Sequence, residues 1–178
     1  TEIIFVDGRS SDGTPEKIKA AIERWKGKKE IRLLLQPEPK GKADAVHIGF
    51  RAAQCDILMI LDADVTVQPE DLPKFYDALV FGKGEFINGS RLVYQLEDES
   101  MRFFNILGNK FFSIMFSWIL GQRIKDTLCG TKVLFKKDYK KIVAGRKYFG
   151  DFDPFGDFDL LFGAAKLNLK IVEMPVRY

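Results

Sequence analysis

Histidine and cysteine are scarce in this chain, with one His and two Cys among 178 residues. Cys55 and Cys129 lie far apart, with no CxxC and no histidine at ligand spacing. No zinc pattern is therefore present, and the two cysteines read as reduced core residues, which fits a cytoplasmic compartment. His47 stands on a helical stretch without a partner and is expected at the surface rather than as a ligand. A strong charge of one sign is missing too. Lys and Arg number 28 against 25 Asp and Glu, a net charge of +3. That balance gives no argument for nucleic acid, although the small cationic excess suits a phosphate-bearing ligand or an anionic membrane surface. Internal repeats, low-complexity tracts and linkers are all lacking, so residues 1–178 are expected to form a single domain. No initiator Met, signal peptide or leader precedes the strand-like Ile3-Ile4-Phe5-Val6, and the chain reads as a segment of something longer.

What is present describes a globular α/β protein. Hydrophobic residues make up 46% and charged residues 30% of the chain, enough for a full core and too apolar for disorder. Phenylalanine stands out with 16 residues, concentrated at 103–116 and 149–162. Aromatics in that number call for an unusually apolar core or a surface that meets something greasy.

Residues 3–6 predict a strand ending at Asp7. Thr14-Pro15-Glu16 then opens a helix carrying Ile18, Ala21, Ile22 and Trp25 at helical spacing, with Thr14 as its cap. Ile31–Leu35 is a second strand and Lys42–Ala53 a second helix. Asp56 leads into the apolar run Ile57-Leu58-Met59-Ile60-Leu61, which suits a strand buried on both faces. Pro69–Leu79 is a short helix, Glu85–Asn88 a strand leading to Gly89-Ser90-Arg91, 103–120 a long apolar helix and Lys132–Phe135 a strand. Leu160–Leu167 is a helix, and Ile171–Val176 a final strand whose proline places it at a sheet edge. Alternating strands and helices predict a mostly parallel sheet, whose ligands bind beyond the carboxyl ends of the strands. Asp7 and Asp62 stand at such ends.

Asp62-Ala63-Asp64 is the sharpest feature. Two carboxylates one residue apart, just past a buried strand, lean into one cleft, and hard cations such as Mg²⁺ or Mn²⁺ bind through one or two carboxylates plus diphosphate oxygens. The bland alternative is a pair of solvated turn aspartates. Asp7-Gly8-Arg9-Ser10-Ser11-Asp12-Gly13-Thr14 is the second feature. Its strand-end Asp can accept an imide N–H from a base, and its glycines permit close approach, although Asp12-Gly13-Thr14 equally reads as a turn plus helix cap. Lys42 follows Gly41 at a helix start, where a cation and free N–H groups suit phosphate.

As a set, Asp7 with Ser11-Asp12-Gly13-Thr14, Gly41-Lys42, Leu61-Asp62-Ala63-Asp64, Gly89-Ser90-Arg91 and the Asp157/Asp159 segment resembles the family-2 glycosyltransferases of GT-A fold. The similarity runs to their dolichyl-phosphate mannose synthase-like, polyprenyl-phosphate branch. It implies a Rossmann-like sheet flanked by helices and a metal-dependent, inverting transfer from a nucleotide-sugar donor. Asp7, Asp12, Lys42, Asp62, Asp64 and Arg91 would then bind the donor, and Asp64 and Asp62 the Mg²⁺ or Mn²⁺. Asp159, with Asp157 as the alternative, would deprotonate the acceptor, and Asp126 and Lys110 would lie on the acceptor side. Two departures stand against the pattern. Gly8 and Arg9 occupy positions where the family has Asp and Gly, and the family's first strand and C-terminal continuation are missing from the chain.

Residues 103–120 have the length of a membrane span, yet Asn105, Gly108, Asn109 and Lys110 interrupt the first half. Polar Asn105, Asn109, Ser113 and Ser117 recur every four residues, and Arg102, Arg123 and Lys125 flank the stretch. This describes either a helix lying on a membrane surface or a buried core helix. The resemblance favours a lipid-phosphate acceptor and a peripheral seat on the cytoplasmic side of the membrane.

Two rivals remain in the sequence. Ile60-Leu61-Asp62-Ala63-Asp64-Val65-Thr66 also fits the signature of haloacid-dehalogenase-like phosphatases, with Asp62 as nucleophile. That signature sits on the first strand of its core, whereas two strand–helix units precede it here. The other rival is a non-catalytic domain that binds a nucleotide sugar.

Overall fold

The structure, a computed structural model, describes residues 1–65, 67–90, 114–127, 129–145 and 157–176. Its elements in order are β1 (Glu2–Asp7), α1 (Thr14–Trp25), β2 (Glu30–Leu35), α2 (Lys42–Ala52) and β3 (Ile57–Met59). A 3₁₀ turn (Pro69–Asp71) runs into α3 (Leu72–Val80), followed by β4 (Phe86–Ser90) and the helical residues 114–120, α4. Then come β5 (Lys132–Phe135), α5 (Lys136–Gly145), α6 (Asp157–Lys166) and β6 (Ile171–Pro175).

The strands form two pieces. β1 pairs β2 in parallel, with Asp7 opposite Leu35. The other piece has the order β3-β5-β4-β6. Here β4 and β6 are parallel, but β5 runs antiparallel to both β3 and β4. The expected mostly parallel sheet therefore holds for two pairings, and β5 reverses the other two. Glu2 ties the pieces at one end. Its carboxylate accepts the N–H groups of Gln54 at 2.5 Å and Cys55 at 2.8 Å, and also pairs with Arg32.

Strand alternation splits the core into two layers. Phe86 and Leu134, opposite each other across β4 and β5, face Phe50, Leu58, Ile60, Leu160, Leu161 and Ala164. Their neighbours Ile87 and Val133 face Phe75, Ala78 and Leu79 of α3 on the other side. Burying a side chain of this size contributes roughly 1.5–3 kcal/mol. These contacts hold α2 and α6 on one face and α3 on the other, which aims the strand ends at a common rim.

β6 is an edge strand, as its proline foretold, and the segment 122–126 covers it. Gln122 donates to the Leu169 carbonyl and accepts from the Ile171 N–H, and Glu173 accepts the N–H groups of Lys125 and Asp126 at 2.8 Å each. Side-chain pairing of this kind blunts an edge that backbone alone would leave open.

Several expectations change. Gly13, at φ 82°, is the cap residue of α1, and Thr14 is already helical. Cys129 is buried as expected, but Cys55 is exposed. His47 is buried rather than superficial, because its Nδ1 lies 2.9 Å from the Tyr139 hydroxyl across the packed layer. That tyrosine sits on α5, which the sequence reading missed: the helix buries Asp138, Tyr139 and Ile142 and is otherwise lysine-rich. Of the long helix over 103–120, only 114–120 falls among the described residues. No described helix is long and apolar enough to cross a membrane.

Candidate active site at the carboxyl ends of the strands

β3 hands the chain to the acidic pair in a short space. The Ile60 N–H still donates to the Lys132 carbonyl at 3.0 Å, after which Leu61 is partly exposed. The Val65 N–H then bonds the Asp62 carbonyl at 3.2 Å, and Val65 takes a left-handed φ of 56°. The turn leaves Asp64 exposed and Asp62 half-buried.

Asp62 meets the head of α2. Lys42 Nζ lies 2.9 Å from both Oδ1 and Oδ2, so a cation at a helix start and a strand-end carboxylate form one unit. Each side chain keeps about a third of its surface, 32% for Lys42 and 33% for Asp62, so the pair stays open to a ligand. Gly130 closes the third side. A Cβ there would stand 1.9 Å from Asp62 Oδ2 and 2.6 Å from Lys42 Nζ, so only a glycine lets the β5 lead-in pass.

The Gly130 turn is itself secured. Asp126, 5% exposed, accepts the Cys129 N–H at 3.1 Å, and its own carbonyl accepts Asn88 Nδ2 at 2.6 Å. Lys132 has no exposed surface, and its Nζ donates to the Cys129 carbonyl at 2.5 Å. A buried ammonium is tolerated only where it is bonded, so this lysine straps the turn from behind. Asp126 thus enters the site's framework through the loop that abuts Asp62.

Asp7 ends β1. It is 6% exposed, and its Oδ1 accepts the Ser10 N–H at 2.8 Å. Hydrogen bonds from Ser10, and a further one from the Arg9 N–H, hold its carboxyl below the usual range, against the opposing effect of burial. Asp7 is therefore an ionised acceptor built into its own turn. Asp12 turns instead to the start of α1 and accepts the Thr14 N–H at 3.0 Å.

Asp159 is the third residue of α6 and is 7% exposed, next to Leu160 and Leu161, which anchor the helix in the core. Asp157 heads the same helix, and its side chain lies outside the described residues, as do Arg91 and Lys110. Sequence reasoning overlooked Gln36. It is 2% exposed and lies one residue beyond β2, just past Leu35, the register partner of Asp7. A buried amide directly after an apolar strand was the available signal.

The donor chemistry of this rim is hard oxygen. Among the described residues no three His, Cys, Asp or Glu side chains converge on one point. Two carboxylates alone suit a dication that takes its remaining ligands from phosphate and water. Asp62 and Asp64 fit that description.

Residues 1–143 match the pattern of Glycosyl transferase family 2. The chain is 33% identical over 125 residues to the dolichol-phosphate mannosyltransferase of Pyrococcus furiosus, a match that covers 70% of this chain and 34% of that protein. It is 28% identical over 177 residues to the dolichyl-phosphate hexose transferase of Haloferax volcanii, covering 99% of this chain and 69% of that one. Among solved structures, S. aureus TarS in complex with UDP superposes with a TM-score of 0.58 at 16% identity, over 97% of this chain and 48% of that one. The chain thus spans from about a quarter to about two-thirds of the length of the curated relatives it matches. The fold is GT-A, and neither the phosphatase reading nor the non-catalytic one finds support. The Asp62 rim, the strand order and the match over residues 1–143 agree, and the chain belongs to glycosyl transferase family 2.

Proposed function

We propose that this chain carries the donor site of an inverting glycosyltransferase that moves a sugar from a nucleotide diphosphate to a polyprenyl phosphate. The observation that carries the reading is the Lys42–Asp62 pair seated on Gly130 at the strand ends, beside an exposed Asp64. A cation, a helix start and two carboxylates in one place answer the needs of a diphosphate bound with a metal. Asp62 and Asp64 would hold Mg²⁺ or Mn²⁺, which when bound offsets the charge of the departing diphosphate. Lys42 neutralises phosphate oxygens from the other side. Asp7 accepts the base imide, with Asp12 on the same turn, and Arg91 is assigned to donor binding as well.

Asp159 takes the acceptor proton, with Asp157, two residues earlier on α6, as the alternative. At the head of α6 the helix dipole favours its charged form. Asp126 and Lys110 are assigned to the acceptor. The names of the two relatives, both acting with dolichol- or dolichyl-phosphate, support a lipid-phosphate acceptor. So does α4, where Ile114, Trp118 and Ile119 are 64%, 84% and 50% exposed and the exposed cations Arg123 and Lys125 follow. Apolar side chains next to cations suit the headgroup layer of a bilayer, which supports the reading of a peripheral seat on its cytoplasmic side.

The test is a transfer assay with the full-length protein in detergent or vesicles. Labelled UDP- or GDP-hexose, polyprenyl phosphate and Mn²⁺ should yield labelled sugar in the organic phase. Failure to label lipid with any nucleotide hexose, from protein that is folded, would overturn the proposal.

A further inference from the structure

We infer that Gln36, latched by Arg9, is a positioning residue for the nucleotide donor, joining the base-side turn to the phosphate-side helix start. The inference deepens the proposed function and rests on it. Gln36 reaches three separate segments. Its N–H donates to the Asp7 carbonyl at 2.9 Å, continuing the β1–β2 pairing past the strand ends. Its Nε2 donates to the Gly41 carbonyl at 3.1 Å and to Asp44 Oδ2 at 2.8 Å, on either side of Lys42. Its Oε1 lies where a Cβ on Gly8 would come to 3.0 Å, so a larger residue after Asp7 would press on the Gln36 amide.

Arg9 completes the connection. It is one of three non-glycine residues among those described with a positive φ, at 67°. That conformation costs roughly 1–2 kcal/mol for a residue with a Cβ. Its Nε donates to the carbonyls of Gln36 at 2.9 Å and Pro37 at 3.1 Å. That single N–H is shared between the two carbonyls, and a bifurcated hydrogen bond from a charged donor offsets such a cost. The outcome is that the Asp7–Ser10 turn cannot drift from Gln36, and Gln36 cannot drift from Gly41 and Asp44. One continuous bonded path therefore runs from Asp7 through Gln36 to Lys42 and Asp62.

A nucleoside diphosphate has its base and its phosphates a fixed distance apart. A rim that binds both ends gains affinity when the two grips are held in register before the ligand arrives. Gln36 supplies that register without touching the ligand. Its buried amide serves as a spacer between Asp7, which faces the base, and Lys42, which faces the diphosphate.

The test measures binding of UDP, GDP and dTDP with Mn²⁺ by calorimetry on the full-length protein, alongside thermal unfolding. Gln36→Leu keeps the volume and removes the Nε2 bonds; it should weaken the nucleotide that wild type binds best by about tenfold. Arg9→Gly relieves the backbone strain while cutting the latch. It should weaken the same nucleotide with little change in melting temperature, so affinity and folding separate. Gln36→Glu combined with Asp44→Asn exchanges donor and acceptor across the 36–44 contact and should recover part of the affinity lost in Gln36→Glu alone. Wild-type affinity in both Gln36→Leu and Arg9→Gly would overturn the inference while leaving the proposed function standing. Folded wild type that binds none of the three nucleotides would overturn both.

Discussion

Gly130 and Asp62, far apart in sequence, lie so close that a methyl group on the glycine would stand 1.9 Å from the Asp62 carboxylate. The contact makes the loop before β5 part of the site's floor. It leads to the first prediction. Gly130→Ala should displace Asp62 and its partner Lys42, because the flexible lysine and the carboxylate move more easily than the strand. The overpacking should cost about 1–3 kcal/mol of stability. Transfer should fall further than that stability change explains, read as kcat/KM measured well below the melting temperature.

Asp64 is exposed beside the Lys42–Asp62 pair. Asp64→Ala should abolish transfer and remove the difference in donor affinity between samples with and without Mn²⁺. Removing the ion from wild type with a chelator should have the same effect on binding. Donor affinity that is insensitive to Mn²⁺ in wild type would sink the assigned role.

Acid stability should depend on Glu2. Burial raises its pKa, but the N–H groups of Cys55 and Gln54 and the Arg32 guanidinium outweigh that and hold it at about 2, below the ordinary 4.5. A depressed folded-state pKa means stability that is present above pH 4.5 and lost as the pH falls from about 4.5 to about 2. Glu2→Gln should flatten unfolding free energy over that window, measured by urea titration at several pH values. Glu173 has the opposite sign. Burial pushes its pKa up, against the bonds from Asp126 and Lys125, so its contribution is present at low pH and declines as pH rises through its folded-state value.

Trp118 is 84% and Ile114 64% exposed, so neither supports the core. Ile114→Glu with Trp118→Glu should leave the melting temperature within about 2 °C of wild type, as surface changes do. Flotation with anionic vesicles should be reduced in the variant. Equal flotation of variant and wild type would remove α4 from the membrane surface.

The sequence carried most of the fold and pointed to the candidate site. Strand–helix alternation over residues 3–61 predicted the α/β layout, and the run Ile57–Leu61 predicted β3 because its residues are apolar on both faces. Where it fell short, the cause was packing between distant segments. α5 is lysine-rich on its exposed face and buries only Asp138, Tyr139 and Ile142, so its apolar stripe was too thin to detect. His47 looked solvated because its partner, Tyr139, lies 92 residues away. The direction of β5 is set by its neighbours rather than by its own pattern.

By itself the sequence determined that acidic residues would sit at the carboxyl ends of β1 and β3, since that follows from local hydrophobic runs and their breaks. Tertiary structure alone decided which groups those aspartates meet. Lys42 reaches Asp62 only when α2 folds back along the sheet, Gly130 arrives only once β5 has paired with β3, and Gln36 joins Asp7 to Asp44 only across the packed strand ends. Hydrogen bonds and close contacts are short-ranged, so they form according to which surfaces the core brings together and leave no periodic trace in the chain.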